Sequence, residues 1–184
     1  MCIRDRPYYV IDYTESFSKN VVDNFTQMYA QGLTPNPCVE CNRSVKFDHF
    51  INQAKKLNCD KVATGHYAKI IKKNDKYELH KADFLDKDQS YVLHMLQSSD
   101  LENITFPLGE ISKPEVRQIA ARIGLRTAFK KDSQDICFVG KKDYRSFVEK
   151  RIDLTSPGEI FDTKGNKVGD HNGIHEFTVG QRKG

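Results

Sequence analysis

Apolar residues along this chain fall into two rhythms, and the switches between them mark its elements. Tyr8-Tyr9-Val10-Ile11-Asp12 is a short aromatic and β-branched run with the composition of a buried strand. Ser16 or Ser18 is placed to cap a helix running to about Gln31, with Gly32 as its stop. Beyond the Pro35-Asn36-Pro37 loop, Val45, Phe47, Phe50, Ile51, Ala54 and Leu57 recur at mostly helical spacing and predict a helix from about Arg43 to Leu57. Asp60-Lys61-Val62-Ala63-Thr64-Gly65 then reads as a strand ending on glycine. Ala68–Ile71 and Lys76–Lys81, joined by Lys72-Lys73-Asn74-Asp75, read as a hairpin.

Asp88-Gln89-Ser90 predicts the start of another helix, with Tyr91, Leu93, His94 and Leu96 along it. Ser112-Lys113-Pro114-Glu115 is a stronger start signal, since Ser112 can cap, Glu115 can reach back, and proline is tolerated in a first turn. Val116, Ile119, Ala120 and Ile123 should form its buried stripe, and Gly124 should end it. A short helix around Tyr144–Ile152 gives way to Glu159-Ile160-Phe161 and Lys167-Val168-Gly169, separated by Lys164-Gly165-Asn166, which is the pattern of a small β unit. Strand, helix, loop, helix, strand is the βαβ order of a parallel sheet covered by helices. The expectation is an α/β domain over residues 1–140 and the start of a small β-rich domain over 141–184. In such sheets ligands sit at the carboxyl ends of strands, where Thr64-Gly65-His66-Tyr67 lies.

Composition narrows the class. The chain has 184 residues, 38% of them hydrophobic and 29% charged, as in an ordinary globular protein able to bury one good core. No apolar run approaches the roughly 20 residues that span a bilayer, and no signal peptide opens the chain. A net charge of +4 permits a polyanionic partner without requiring one. Five cysteines form an odd, sparse set, which points to a reducing compartment rather than a disulfide framework. That compartment is the cytoplasm, or an organellar matrix in a eukaryote. Met1–Arg6 run into Pro7 with no lead-in element, and Gln181-Arg182-Lys183-Gly184 follow directly on a strand-like stretch; both ends read as those of a fragment with a foreign start.

The candidate chemistry lies in two thiols. Thr34-Pro35-Asn36-Pro37 leads through Cys38 to Cys41, and Asp132-Ser133-Gln134-Asp135 leads to Cys137, so both thiols read as held by turn chemistry on loops. Asn42, Arg43 and Lys46 open a helix beside Cys41, a setting that favours thiolate. Several alternatives stand beside this reading. Cys38 and Cys41 are two ordinary cysteines on spacing alone, a zinc site would have to recruit Cys59 and His66 at a spacing that fits no compact pattern, and a redox pair lacks its preceding strand. Cys137 before Phe138 and Val139 fits a core position equally well. Lys87-Asp88-Gln89 fits a solvated helix start, and His66 a hydrogen-bonded loop histidine.

Taken in order, Thr34-Pro35-Asn36-Pro37, Cys41-Asn42, Lys46-Phe47, Ala63-Thr64-Gly65-His66-Tyr67, Lys87-Asp88-Gln89-Ser90-Tyr91, Phe106-Pro107-Leu108-Gly109, Lys131-Asp132-Ser133, Ile136-Cys137-Phe138 and Gly180-Gln181-Arg182-Lys183-Gly184 resemble the tRNA-specific 2-thiouridylases. The resemblance implies a truncated ATP-pyrophosphatase-type (adenine nucleotide alpha hydrolase-like) domain followed by a β-rich central domain. It implies sulfur transfer to C2 of the wobble uridine of tRNA, with Cys41 as nucleophile and Cys137 as persulfide carrier, Cys41 either attacking the persulfide to liberate nucleophilic sulfur or joining Cys137 in a disulfide. Asn36, Pro37 and Cys38 match the stretch touching the target base, Gly65 an ATP-binding position, and His66, Lys87, Asp88 and Gln89 tRNA contacts. ATP with Mg²⁺, a persulfide donor protein and tRNA are the implied partners; no resident metal and no membrane are implied. The family's glycine-rich phosphate loop has no counterpart before Pro7, so the expectation is that this stretch alone is inactive. Two other classes remain open at this point: a non-catalytic RNA-binding module, and a Cys-x-x-Cys redox or zinc protein.

Overall fold

The computed structural model describes residues 7–132, 135–140, 143–152 and 156–182. Cys2 and the rest of the opening hexapeptide, Ser133-Gln134 of the loop before Cys137, and Lys183-Gly184 of the basic tail lie outside the described residues. In chain order the helices are α1 (Thr14–Phe17), continued by a π-helical stretch Ser18–Asp23 into α2 (Asn24–Ala30), and α3 (Pro37–Glu40), continued by π-helical Cys41–Phe47 into α4 (Asp48–Lys56). Strand β1 (Val62–Ala63), the hairpin β2 (Ala68–Lys73) and β3 (Lys76–Lys81), two 3-10 turns at Leu85–Lys87 and Ser90–Val92, α5 (Ser98–Leu101), β4 (Ile104–Thr105) and α6 (Lys113–Arg122) come next. The chain closes with α7 (Tyr144–Glu149), β5 (Gly158–Phe161), β6 (Lys167–His171) and a 3-10 turn Ile174–Glu176.

These elements gather into two compact units, one of residues 1–16 and 38–132, the other of 17–37 and 133–184. In the first, β1 pairs with β4 in parallel, Val62 opposite Ile104 and Ala63 opposite Thr105. Parallel partners need a long crossover, and here it holds the β2–β3 hairpin and α5. The α/β class with a parallel pair covered by helices is therefore as the sequence predicts. Its core is Phe47, Ile51, Ala54, Val62, Ala68, Val92, Leu93, Ile104 and Phe106. Asn74 and Asp75, at φ 48° and 59°, close the hairpin in the left-handed turn that matches strand twist. Gly109 is fixed for another reason: a Cβ there would run into the Ala68 carbonyl oxygen. The Phe106-Pro107-Leu108-Gly109 turn thus lays backbone directly on the start of β2.

In the second unit Phe25, Tyr29 and Val148 pack with Ile136, Phe138, Val139, Tyr144 and Phe147. Phe138 meets Phe25 edge-on at 5.3 Å, and Tyr29 stacks on Tyr144 at 4.6 Å. The β5–β6 hairpin turns where Asp162 accepts from the Lys164 and Asn166 amides, with Gly165 at φ 85°.

Four sequence expectations are corrected. Tyr8–Asp12 forms no strand: it has no ladder partner among the described residues, and Tyr8, Tyr9 and Val10 are 70%, 57% and 84% exposed. The helix expected to start at Ser16 or Ser18 begins at Thr14, whose amide donates to Asp12 Oδ1 at 2.8 Å, an Asx turn that starts the helix earlier. Asp88-Gln89-Ser90 opens only a 3-10 turn, because Asp88 accepts from the Ala82 amide and the Ser90 hydroxyl and so holds a non-helical backbone. In α6 the cap is as expected, the Glu115 amide donating to Ser112 Oγ, but Val116, Ile119 and Ala120 are half-buried and Ile123 is 53% exposed. An apolar stripe shows which face can be covered, not that it is.

Candidate active site

The first thiol does not sit on a loop. Proline fixes a helical φ and lacks the amide that a first helical turn leaves unpaired, so Pro37 opens α3 rather than prolonging the turn before it. Cys38 is exposed in that first turn, and half-buried Cys41 starts the π-helical stretch. A π turn is rare and recurs at functional sites. The helix opens earlier than the sequence suggested, at Pro37, so Cys41 lies one turn inside it. The Arg43 guanidinium is taken up by Glu40, at 2.7 and 3.3 Å. Asn42 is buried and donates to the Val92 carbonyl at 3.2 Å, tying this helix to the 3-10 turn after Gln89.

Lys46 and Phe47, one turn on, reach the end of β1. His66 has ring neighbours Phe47 and Phe106, each at 5.9 Å, and its Nδ1 lies 2.8 Å from Thr64 Oγ1. Burial, reinforced by the Lys46 ammonium, pushes the His66 imidazole down to about 4. It is a neutral, aromatic-lined group at neutral pH. Gly65 stands exposed at the carboxyl end of β1, and a Cβ there would meet only Leu108 Cδ1, at 3.7 Å. The protein's own packing does not require glycine, and the backbone is open to an approaching ligand.

Tyr67 and Gln89 are locked reciprocally: the Tyr67 amide donates to Gln89 Oε1 at 3.1 Å, and the Gln89 amide donates to the Tyr67 carbonyl at 2.8 Å. Burial raises the Asp88 carboxyl, but the hydrogen bonds from Ser90 and Ala82 outweigh it and hold the group below the usual carboxylate range. Asp88 and Gln89 thus spend their side chains on positioning the loop. Lys87 turns instead to Asp132, 3.3 Å away. Lys113 Nζ is 3.0 Å from the same carboxylate and 5.4 Å from the Tyr67 ring centre, while Arg117 Nη2 is 3.9 Å from the carboxylate. The sequence reading missed Lys113 and Arg117, although their four-residue spacing on a well-capped helix puts both on one face.

In the other unit, Cys137 occupies a turn in which the Val139 amide donates to the Ile136 carbonyl at 3.1 Å. Ile136 and Phe138 pack into the aromatic cluster while the thiol between them is exposed. The loop reading of Cys137 holds and the core reading fails. Cys137 forms no disulfide among the described residues. Asn36 is exposed just before buried Pro37. Among the described residues no three His, Cys, Asp or Glu side chains cluster as a metal set, and no helix is long and apolar enough to cross a membrane.

A parallel α/β domain with its candidate groups at the end of a strand, followed by the start of a β-rich module, is the architecture of a nucleotide alpha hydrolase-like domain joined to a barrel. Residues 4–141 match the family model described as tRNA methyl transferase HUP domain, and residues 145–184 that described as tRNA methyl transferase PRC-barrel domain. The chain belongs to this family, that of the tRNA-specific 2-thiouridylases. It is 48% identical over 182 residues to the tRNA-specific 2-thiouridylase MnmA of Chloroflexus aurantiacus, covering 97% of this chain and 50% of that protein. The proteins of the same name from Leptospira interrogans and Symbiobacterium thermophilum are 48% and 46% identical, again over 97% of this chain and 48% and 47% of theirs. The chain spans about half the length of these curated relatives.

Proposed function

We propose that this protein carries part of an ATP-dependent sulfurtransferase that replaces the C2 oxygen of the tRNA wobble uridine with sulfur. The family models are described in terms of methyl transfer, whereas the relatives are named for thiolation. The observation that favours sulfur chemistry is the exposed Cys137 thiol, held out between two packed neighbours. A methyl donor needs no such group. A persulfide carrier needs a thiol that a donor protein can reach and a turn that fixes its direction.

The carbonyl oxygen at C2 is a poor leaving group, and ATP, bound with Mg²⁺ as its substrate complex, supplies adenylation that lets it depart as part of AMP. On this side Gly65 is the residue offered to the nucleotide, through its backbone. The terminal sulfur of a Cys137 persulfide then forms the C2–S bond as AMP leaves. The Cys41 thiolate attacks the Cys137 sulfur, breaks the S–S bond to the thiolated base, and leaves a Cys41–Cys137 disulfide that a thiol reductant must reopen. The Asn36-Pro37-Cys38 stretch touches the base, which must leave its stack to be reached, with no essential role for the Cys38 thiol; His66, neutral at working pH, and Lys87 contact the RNA, with Asp88 and Gln89 shaping that stretch. Residues 1–140 form the ATP-pyrophosphatase-like domain and 141–184 the start of the central domain in this reading.

The test is to incubate the full-length protein with ATP, Mg²⁺, tRNA and a persulfide donor and analyse the nucleosides. The expected product is 2-thiouridine, retained by Cys38→Ser and reduced at least about 100-fold, the scale of a lost nucleophile, by Cys41→Ser or Cys137→Ser. A methylated nucleoside, or full activity without Cys137, overturns the reading. Equal loss from Cys38→Ser moves the chemistry to the Cys-x-x-Cys pair.

A further inference from the structure

Three cations share one carboxylate in the first unit. Lys87 Nζ, Lys113 Nζ and Arg117 Nη2 lie 3.3, 3.0 and 3.9 Å from Asp132, and none of them has another carboxylate within 4.0 Å among the described residues. Two positive charges are left over. Lys113 and Arg117 stack at i and i+4 on α6, an arrangement that is unfavourable between like charges, and Lys113 sits in the first turn, where the helix dipole adds to the positive potential. Two polar atoms at this place are buried with no hydrogen-bond partner among the described residues: Arg117 Nε and the hydroxyl of Tyr67, whose ring lies under Lys113. Yet the cluster is open, its four charged side chains being 25–40% exposed. A packed structural network would satisfy its donors and balance its charge. This one has spare donors, spare charge and access.

We propose that Lys87, Lys113 and Arg117 form a seat for a phosphodiester of the RNA backbone, and that the Asp132 carboxylate occupies this seat until RNA displaces it. The inference rests on the reading of tRNA as substrate and deepens it by assigning Lys113, Arg117 and Asp132. A carboxylate is a fitting stand-in: it is anionic and planar, and it presents two oxygens to the cations where a phosphate presents two non-bridging ones. Displacement is cheap, because exposed ion pairs contribute little each, while every phosphate neutralised releases counterions. The lysine hydrogen bonds that hold the Asp132 carboxyl below its ordinary range keep it ionised, and therefore competing, at any pH at which RNA would bind.

The experiment is a salt-dependent tRNA binding titration of the full-length protein, with ATP binding measured in parallel. Asp132→Asn, close to isosteric, should tighten tRNA binding roughly three- to tenfold, the scale set by one or two exposed ion pairs. Lys113→Gln and Arg117→Gln should each weaken it and lower the log–log salt slope by roughly 0.7–0.9, with ATP affinity unchanged in all three. Unaltered or weaker tRNA binding by Asp132→Asn, or unaltered binding and slope in both cation variants, overturns the seat. A change in ATP affinity in place of tRNA affinity overturns its assignment to RNA. Wild-type protein that binds tRNA tightly but forms no 2-thiouridine contradicts the proposed function and leaves the seat standing, so the two failures are told apart.

Discussion

His66 concentrates the electrostatics of the site in one ring. Burial and the Lys46 ammonium both disfavour its charged form, so its folded value falls to about 4 from an ordinary 6.5. Between those values the folded state binds fewer protons than the unfolded one, so His66 supports the fold fully above about pH 6.5, and that support is lost as pH falls toward 4. Proton NMR titration of the full-length protein should show the His66 ring neutral down to about pH 5, with Lys46→Met raising its midpoint by removing a like charge. A His66 midpoint near 6.5, or one lowered by Lys46→Met, contradicts this account. No sequence pattern reveals such a value. The sequence offers a histidine after glycine at a strand end, which is equally a plain loop residue; the shift needs Phe47 and Phe106 brought 5.9 Å from the ring by separate elements.

At the scale of the element, Gly109 separates a steric requirement from a conformational one. A side chain there strikes the backbone of Ala68, which is itself fully buried in the core, so neither neighbour can yield without moving β2. Gly109→Ala should destabilise the full-length protein by about 1–3 kcal/mol or more, as overpacking does, whereas Gly65→Ala, which would make only an ordinary contact with Leu108 Cδ1 at 3.7 Å, should cost far less stability. Urea denaturation of the two variants decides between this and an equal effect. The same contrast separates the legible parts of the sequence from the illegible ones. Strong local signals carried through: the Ser112 cap, the Asn74-Asp75 turn, the Gly165 turn, the strand around Val62. Signals whose meaning depends on a distant partner did not. Tyr8–Asp12 has strand composition but no ladder, and Pro37 reads as a helix breaker or as a helix start according to the residues beyond it. The Cys137 turn was half legible, since its polar lead-in pointed to a loop while Phe138 and Val139 fitted a core position equally well; the Lys87–Lys113–Arg117 cluster was not, because its members come from a turn and a helix that meet at Asp132.

The whole molecule adds a constraint that neither residue nor element shows. Asp132 is the last residue of the first unit, and Cys137 follows it by five positions on the other side of that boundary. An extended chain spans at most about 3.3–3.6 Å per residue, so while Asp132 stays seated the thiol is on a leash of roughly 17 Å measured from the cation cluster. Once a phosphodiester takes the seat, the nearest buried anchor upstream is Ala128, and the covalent limit rises to nine residues, roughly 31 Å, while Ile136 and Phe138 stay packed in the aromatic cluster. Pulsed electron spin resonance between labels on exposed Cys59 and Cys137, with the other cysteines replaced, should therefore give a broader distance distribution in Asp132→Asn than in the parent protein; equal widths would mean that Asp132 tethers nothing. A carboxylate that offsets one of three positive charges in the free protein thereby becomes a length gauge, and the arrival of RNA resets how far the stretch leading to the thiol can extend.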